Sequence, residues 1–312
     1  MCRRMSSWGS YTPPPRLGYY QELPLGTFIK KEKPATVVSA YYQLRTKKWT
    51  NNQYKVWIEQ FLSLPTFLVF FTSKDLEPWI LSCRSKYLDK TVIIVLPEEE
   101  WTSTTNFLTN FWQEQHRLDP EKNLHSPELY KVWYEKKEFV KRAIELNPWN
   151  HTDFVWTDAG ICREALLIPF LQHFPVADRI PTDRILMNNT SPFTRRDETQ
   201  LISKKERIGA GIYAASIPIW NWFIQEYDIV LQKYITQNMF CGKEQDILST
   251  LVLLNKEKIS LLDVKPITIN KWFYLFHYLG ANARLFQIFR NPKLYKTTKT
   301  IQDYINISNN IE

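Results

Sequence analysis

The heptapeptide Phe154-Val-Trp-Thr-Asp-Ala-Gly160 decides the expected fold of this chain. Mostly apolar residues lead to an acid, Asp158, and a small residue and a glycine follow at once, as where a buried strand ends at a sheet edge. Open α/β sheets bind ligands in the crevice outside the carboxyl ends of their strands. An acid there can hold Mg²⁺ or Mn²⁺, which bridges to substrate phosphates. Alternatively, Asp158 is an ordinary strand-end residue that caps the next turn.

Outward from this heptapeptide, apolar β-branched runs alternate with amphipathic segments. The runs at 36–42, 67–71, 91–96 and 154–158 are typical of buried parallel strands, and Asn52 is the expected cap of the first helix. The other predicted elements are helices at 78–87, 217–235 and 246–254, a helix opened by Ser126 and ended by Asn147, strands at 185–187 and 208–213, and an extended piece at 261–266. Such βαβ units predict an α/β fold with a mixed, mostly parallel sheet flanked by helices.

The expected domain organisation is an irregular N-terminal arm at 1–34, one domain at 35–292 and a C-terminal tail at 293–312. Within the domain, 35–165 and 166–292 form two halves. No apolar run approaches the ~20 residues that span a membrane, and the N-terminus lacks the apolar core of a signal peptide. The four cysteines lie far apart, without the CxxC spacing of zinc or redox sites. The sequence therefore favours a soluble, cytoplasmic protein with no transmembrane segment.

The net charge of the chain indicates which classes of ligand it can bind. Forty basic and 32 acidic residues give a formal net charge of +8, which suits a nucleic acid or a nucleotide diphosphate. The charge is spread along the chain, and the aromatic residues fall mostly in core-like strands and helices, so no nucleic-acid partner is expected. The sequence contains neither GxGxxG nor GxxxxGK[ST], the fingerprints of dinucleotide-binding and P-loop proteins.

Four segments, in this order along the chain, resemble the HtrL/YibB family, whose members look like glycosyltransferases of the GT-A type. They are Thr36-Val-Val-Ser-Ala-Tyr-Tyr42, Leu129-Tyr-Lys-Val-Trp-Tyr-Glu-Lys136, Asn147-Pro-Trp149 and Phe154-Val-Trp-Thr-Asp-Ala-Gly-Ile-Cys-Arg163. The resemblance implies a GT-A-like fold whose first half binds a nucleotide-sugar, most simply a UDP-sugar. It also implies a second half that binds a glycan or other hydroxyl acceptor, with Mn²⁺ or Mg²⁺ between the halves. A non-catalytic glycan- or nucleotide-binding relative with the same fold is the alternative.

One feature departs from the GT-A pattern. GT-A enzymes usually carry Asp-x-Asp at this strand end, whereas here the tripeptide is Trp156-Thr-Asp158. Trp156 cannot ligate a metal, so only Asp158 remains from the motif, and one carboxylate can hold Mg²⁺ together with waters and substrate phosphates. A second protein ligand would help, and His277 is the candidate from the resemblance. A histidine between aromatic residues is otherwise a packed core residue.

The donor side of the predicted site includes the first strand at Val38. Lys136, on the helix before the fourth strand, can reach the diphosphate or the sugar, or it can be a solvated lysine. Arg163 can hold a phosphate bidentately or pair with Glu164. Arg45, after the first strand, can contact the nucleotide or belong to a solvated turn.

The acceptor side is predicted in the second half of the domain. Gly209-Ala-Gly211 can line the sugar or acceptor pocket, because glycines allow close approach of a ligand to the backbone, or it can form a β-bulge. An inverting transferase needs a carboxylate base beside the acceptor hydroxyl, and Glu244 and Asp246 are the candidates. Either acid could instead favour the start of a helix through the helix dipole.

Overall fold

The computed structural model describes residues 33–44, 50–262, 270–281 and 298–299 of the chain. Arg45, nearly all of the predicted N-terminal arm and most of the predicted tail lie outside the described residues. In the described part the strands are β1 (Thr36–Tyr41), β2 (Phe67–Thr72), β3 (Thr91–Val95), β4 (Asp153–Thr157), β5 (Ile185–Asn189), β6 (Ile208–Ser216), β7 (Ile259–Leu262) and β8 (Thr298–Lys299). The helices are α1 (Asn51–Leu62), α2 (Glu77–Cys83), α3 (Thr102–Thr105), α4 (Phe111–Leu118), α5 (Pro127–Leu146), α6 (Ile217–Thr236), α7 (Glu244–Leu254) and α8 (Tyr274–Gly280).

These strands form one sheet in the order β3-β2-β1-β4-β6-β5-β7-β8. The pairs β3–β2, β2–β1, β1–β4 and β5–β7 are parallel, whereas β6 is antiparallel to both β4 and β5. The predicted α/β class is confirmed, and so is the mixed, mostly parallel sheet flanked by helices that the GT-A resemblance implies. The reversed strand β6 places its early residues beside the carboxyl end of β4, where Thr157 pairs with Ile212.

Helices cover both faces of the sheet, as continuous apolar strands require. On one face α4, α5, α6 and α7 pack around a core that contains Phe139, Phe223 and Leu248. On the other face α1, α2 and α8 enclose a second core. Successive residues of β1 point to opposite faces, and Val38 is fully buried in the first core. Val38 therefore offers no surface to a donor, contrary to its predicted place on the donor side.

Local capping explains where several helices begin. Thr50, rather than the predicted Asn52, caps α1, because Thr50 forms a capping box with Gln53. Helix α5 begins after Ser126, whose hydroxyl accepts a hydrogen bond from the Leu129 amide, and it ends at Asn147 in a left-handed conformation (φ 31°). Among the described helices, none is long and apolar enough to cross a membrane.

Two short helices, α3 and α4, lie in a stretch where the sequence predicts no element. The Glu135 carboxylate on α5 accepts hydrogen bonds from the Thr102 and Ser103 amides at 3.0 and 2.8 Å, at the start of α3. The Trp112 indole on α4 donates to the Ser103 carbonyl at 2.7 Å. Tertiary hydrogen bonds fix these helices, so the local hydrophobic pattern does not reveal them.

Candidate active site at the end of β4

Asp158 follows β4 directly and lies at the carboxyl edge of the sheet. Its amide donates to the Gly211 carbonyl of β6 at 2.8 Å, and its carbonyl accepts from the Ile161 amide in the turn that follows. Its side chain is 42% exposed, so the carboxylate is presented to solvent. Trp156 lies two residues earlier on the same side of the strand, and its indole donates to Asp158 Oδ1 at 2.9 Å. The Trp156 indole thus orients the Asp158 carboxylate.

Lys136 approaches Asp158 from α5 and is almost fully buried. Its ammonium forms ion pairs with Asp158 Oδ1, at 2.9 Å, and with the Glu244 carboxylate at the start of α7. It also donates to the Ala210 carbonyl of β6 at 3.1 Å. A lysine ammonium has three donors, and these three acceptors use all of them. Lys136 on α5 thereby contacts the residue that follows β4, a residue of β6 and the first residue of α7.

Burial and ion pairing shift the pKa values of Lys136 and Glu244 in opposite directions. Burial lowers the pKa of Lys136, but the Asp158 and Glu244 carboxylates outweigh burial and hold this pKa above its ordinary value. Burial raises the pKa of the Glu244 carboxyl to about 8, although the Lys136 ammonium favours its charged form. A carboxyl with a pKa near neutrality can both accept and release a proton at physiological pH.

Two cavities meet at Asp158 and Lys136. The larger, of about 410 Å³, lies on the side of β6 and α7. The smaller, of about 150 Å³, lies on the side of β1 and α1. Both are lined by Trp133, Lys136 and Asp158. The larger cavity adds polar and charged side chains from several elements, namely Arg163, Glu206, Lys243, Glu244, Gln245 and Asn270. The smaller adds mainly aromatic and apolar side chains, including Tyr41, Tyr42 and Tyr54.

The arrangement is that of a divided site, with an apolar aromatic chamber and a polar chamber separated by a carboxylate and an ammonium.

Residues 33–281 match a family described as "Bacterial protein of unknown function (HtrL_YibB)". The chain belongs to the HtrL_YibB family. This confirms the resemblance that the ordered sequence segments indicate. Protein HtrL of Escherichia coli (strain K12) is 23% identical in an alignment of 288 positions that covers 83% of this chain and 98% of that protein.

Solved structures overlap this HtrL_YibB chain only loosely. Mouse xyloside xylosyltransferase 1 in its apo form is 11% identical, with a TM-score of 0.40, over 74% of this chain and 85% of that one. A cytidylyltransferase from Leptospira borgpetersenii serovar Hardjo-bovis (strain JB197) is 11% identical, with a TM-score of 0.32, over 90% of this chain and 95% of that one. At these TM-scores the overlaps establish no shared activity.

Arg163 lies at the wall of the larger cavity, five residues after Asp158. Its guanidinium packs over the Trp57 and Phe273 rings, with centroid distances of 4.1 and 4.8 Å, and its Nε donates to the Gly160 carbonyl. Burial lowers the pKa of Arg163, yet the guanidinium stays charged at any physiological pH. The aromatic faces fix its plane and orientation, which prepares it for a bidentate anion contact.

The predicted acceptor-side residues separate into two groups. Ala210 and Gly211 line the larger cavity, and a Cβ built on Gly211 would lie 3.6 Å from Asp158 Oδ2. Glu244 also lines this cavity. Asp246 does not: burial raises its pKa to about 6, and its Oδ2 accepts from the Lys204 amide at 3.2 Å. Of the two predicted acids, Glu244 therefore borders the larger cavity, and Asp246 accepts a hydrogen bond from a loop amide instead.

His277 lines neither cavity. It lies on α8, 3% exposed within the second core, and its Nδ1 has no hydrogen-bond partner among the described residues. Burial lowers the pKa of His277 to about 4, so the ring is neutral. This placement is that of a packed core histidine, which was the alternative to the metal-ligand prediction.

The described residues do not form a metal site of their own. No cluster of three or more His, Cys, Asp or Glu side chains with metal-binding geometry occurs in the described ranges. At Asp158, Oδ1 already accepts from the Trp156 indole and the Lys136 ammonium. Glu244, the neighbouring carboxylate, is paired with the same ammonium, so the occupied carboxylates of this residue set do not fit the predicted Mn²⁺ or Mg²⁺.

The sequence reasoning missed several lining residues, above all Trp133, Tyr54 and Trp272. A signal for Trp133 exists. Four residues of α5 that line the smaller cavity, namely Leu129, Val132, Trp133 and Lys136, recur at helical spacing on one face. This stripe resembles an ordinary core-facing stripe, and only the position of β4 shows that it faces a cavity.

Proposed function

We propose that this protein is a glycosyltransferase that moves a sugar from a nucleotide-sugar, most simply a UDP-sugar, to a hydroxyl acceptor such as a glycan. The observation that carries the proposal is the meeting of two chemically different cavities at Asp158 and Lys136. A nucleotide-sugar has the same division, because an apolar base is joined through a diphosphate to a polar sugar.

The smaller cavity suits the nucleoside. Its aromatic lining includes Tyr41, Tyr42, Tyr54 and Trp133. Stacking of a base on an aromatic side chain contributes about 1–3 kcal/mol per base. Burial raises the pKa of Tyr41 and Tyr54, so these phenols stay protonated and can donate as well as accept hydrogen bonds, whereas the Tyr42 hydroxyl already donates to the Leu96 carbonyl at 3.0 Å.

The larger cavity suits the diphosphate, the sugar and the acceptor. Glu244 takes the proton of the acceptor hydroxyl as the acceptor oxygen forms its bond to the anomeric carbon. The bond from that carbon to the diphosphate oxygen breaks, and the nucleoside diphosphate leaves with the electron pair. Arg163 is the cation of this cavity best shaped to hold the departing phosphates. Asp158 presents an exposed carboxylate to hydroxyl groups of the donor sugar.

Ligand-induced stabilisation tests the binding half of the proposal. A ligand at 100 times its Kd stabilises a protein by about 2.7 kcal/mol, so saturating UDP is expected to raise the Tm by several degrees. Asp158→Asn is expected to lose part of the shift that a UDP-sugar gives, because the Asp158 carboxylate contacts hydroxyl groups of the donor sugar in this proposal. Asp228→Asn is the matched control, because Asp228 is similarly exposed and also pairs with a buried lysine, Lys137, but lines neither cavity. Equal shifts in both variants, or no shift with any nucleoside diphosphate, would contradict the proposal.

Transfer itself requires a second assay, in which a panel of nucleotide-sugars is followed for release of nucleoside diphosphate. Release that depends on Glu244 supports catalysis. The second candidate is a non-catalytic binding relative. One observation favours it: Lys136 pairs with both Asp158 and Glu244, so a single buried ammonium occupies both carboxylates of the site. Tight nucleotide binding without release from any donor would favour this candidate.

A further inference from the structure

Lys136 fills the place between the two site carboxylates. Its ammonium contacts both Asp158 and Glu244, and the Ala210 carbonyl takes its third hydrogen bond. The lysine side chain is 4% exposed, so this cation is a fixed part of the core rather than a mobile surface charge. Its charge is permanent at physiological pH, because the carboxylates raise its pKa.

The surroundings of Asp158 supply no second metal ligand. Trp156, at the position of the first acid of the GT-A motif, donates a hydrogen bond to Asp158 and has no lone pair to offer a metal. Two further cations, Arg163 and Lys243, line the same cavity. Ammonium and guanidinium groups of the chain thus lie beside Asp158, where GT-A enzymes are expected to bind a divalent ion, and each of the two lysines is paired with two carboxylates.

We infer that this site binds the diphosphate of its donor without a divalent cation, with the Lys136 ammonium as the resident charge that fixes Asp158 and Glu244. The inference rests on the proposed function. Lys136 acts as a positioning residue: its donors are all used within the protein, and the phosphates are held by Arg163. This differs from the metal-assisted reaction that the family resemblance implies.

Calorimetric titration of the full chain with UDP, in EDTA and in MnCl₂, tests the inference through binding alone. The expected result for the unmodified protein is the same Kd in both buffers, within about twofold, and no uptake of Mn²⁺ in the absence of nucleotide. Binding that requires Mn²⁺ would overturn the inference and leave the proposed function intact. Absence of nucleotide binding in both buffers would overturn the proposed function, and the inference with it.

Variants of Lys136 provide a second measurement. Lys136→Met is expected to weaken UDP binding in EDTA by about tenfold or more, because Asp158 and Glu244 lose the ammonium between them and their negative charge then repels the diphosphate. It also frees Asp158 from its ammonium, so Mn²⁺ is expected to bind this variant and to recover part of the affinity. If Lys136→Met does not fold, the double variant Lys136→Met/Glu244→Gln removes the buried charge that the single variant leaves unpaired.

Lys137→Met is the control. Lys137 is 1% exposed, follows Lys136 directly and pairs with Glu138 and Asp228, but it lines neither cavity. The expected result is unchanged UDP binding and no response to Mn²⁺. An equal Mn²⁺ response in the unmodified protein and in the Lys136 variants would overturn the inference, because the ammonium would then make no difference to the cation.

Discussion

Two adjacent lysines of α5 have nearly the same surroundings and different consequences. Lys136 lies between a buried glutamate, Glu244, and the half-exposed Asp158. Lys137 lies between the buried Glu138 and the half-exposed Asp228. Only the first cluster borders the two cavities. A buried lysine with two carboxylates is therefore not by itself a sign of a functional site, and the open space beside it is the observation that separates the two.

The aromatic residues that precede the two lysines on α5 differ in the same way: one borders the cavities, and the other lies in the core. Trp133, three residues before Lys136, lines both cavities. Tyr134, three residues before Lys137, is buried in the first core, where its ring lies 4.1 Å from the Lys137 ammonium and its hydroxyl donates to Asp228. One helix thus presents a cavity-facing pair and a core-facing pair, each made of an aromatic residue and a lysine.

Glutamine substitution of the two buried glutamates is expected to give the largest difference. Glu244→Gln removes the proposed base, and loss of a general base lowers the rate by about 10²–10⁴-fold. Glu138→Gln removes a carboxylate that reaches no cavity, so the rate is expected to stay within about twofold, although the loss of one partner of a buried ion pair lowers stability. The measurement is the rate of nucleoside diphosphate release at saturating donor. Equal losses in both variants would remove the basis for distinguishing the clusters.

Methionine substitution of each lysine is expected to affect stability equally, although only one lysine serves the site. Each change leaves a buried glutamate without its cation. The free energy of unfolding is expected to fall by about 3 kcal/mol, the lower end of the range for broken buried ion pairs. Urea unfolding of Lys136→Met and Lys137→Met measures this cost. A large loss of stability in one variant alone would mean that the two clusters differ in their structural role as well as in their contact with the cavities.

Local sequence signals explain why the strands and α5 could be predicted. The runs of β1, β2 and β4 are apolar and β-branched or aromatic, and Ser126 and Asn147 mark the ends of α5. The pairing of Lys136 with Glu244 could not be predicted in the same way, because the two residues are 108 positions apart. The antiparallel strand β6 brings the start of α7 to β4, and a strand's direction in a mixed sheet is a tertiary property.

The choice between Glu244 and Asp246 shows the same limit on a shorter scale. Both acids lie in the first turn of α7, where either would interact well with the helix dipole. Residues two positions apart on a helix face different directions. Glu244 faces Lys136, whereas Asp246 faces the Lys204 amide. The sequence places two acids at a helix start, and only the packing of α7 against α5 and β6 assigns one to the cavity.

The pH dependence of the reaction provides the next largest effect. Burial raises the pKa of Glu244 to about 8, so the base form increases as the pH rises. The rate is expected to increase about 50-fold between pH 6 and pH 8, as the deprotonated fraction does. Tyr213 and Tyr227, which face Glu244, have pKa values well above the ordinary value because of burial, and they stay neutral over this range.

A pH–rate profile of the unmodified protein and of Glu138→Gln measures this effect. The two profiles are expected to coincide, since Glu138 belongs to the cluster that has no cavity. The residual rate of Glu244→Gln is expected to lose the rise towards pH 8. A profile that is flat from pH 6 to pH 8 in the unmodified protein would rule out Glu244 as the titrating base.

The smallest expected effect tests the aromatic stripe of α5. Trp133→Leu removes a ring from the wall that both cavities share, and loss of one base-stacking contact weakens binding by about 1–3 kcal/mol, or about thirtyfold at the middle of that range. Tyr134→Phe changes only the core-facing neighbour and is expected to leave the Kd for UDP unaltered, although loss of the bond to Asp228 lowers stability by about 1 kcal/mol. Titration with UDP separates the two variants. If Tyr134→Phe weakened binding as much as Trp133→Leu, the two faces of α5 would act as one unit, and the cavity would no longer distinguish the Lys136 cluster from its neighbour.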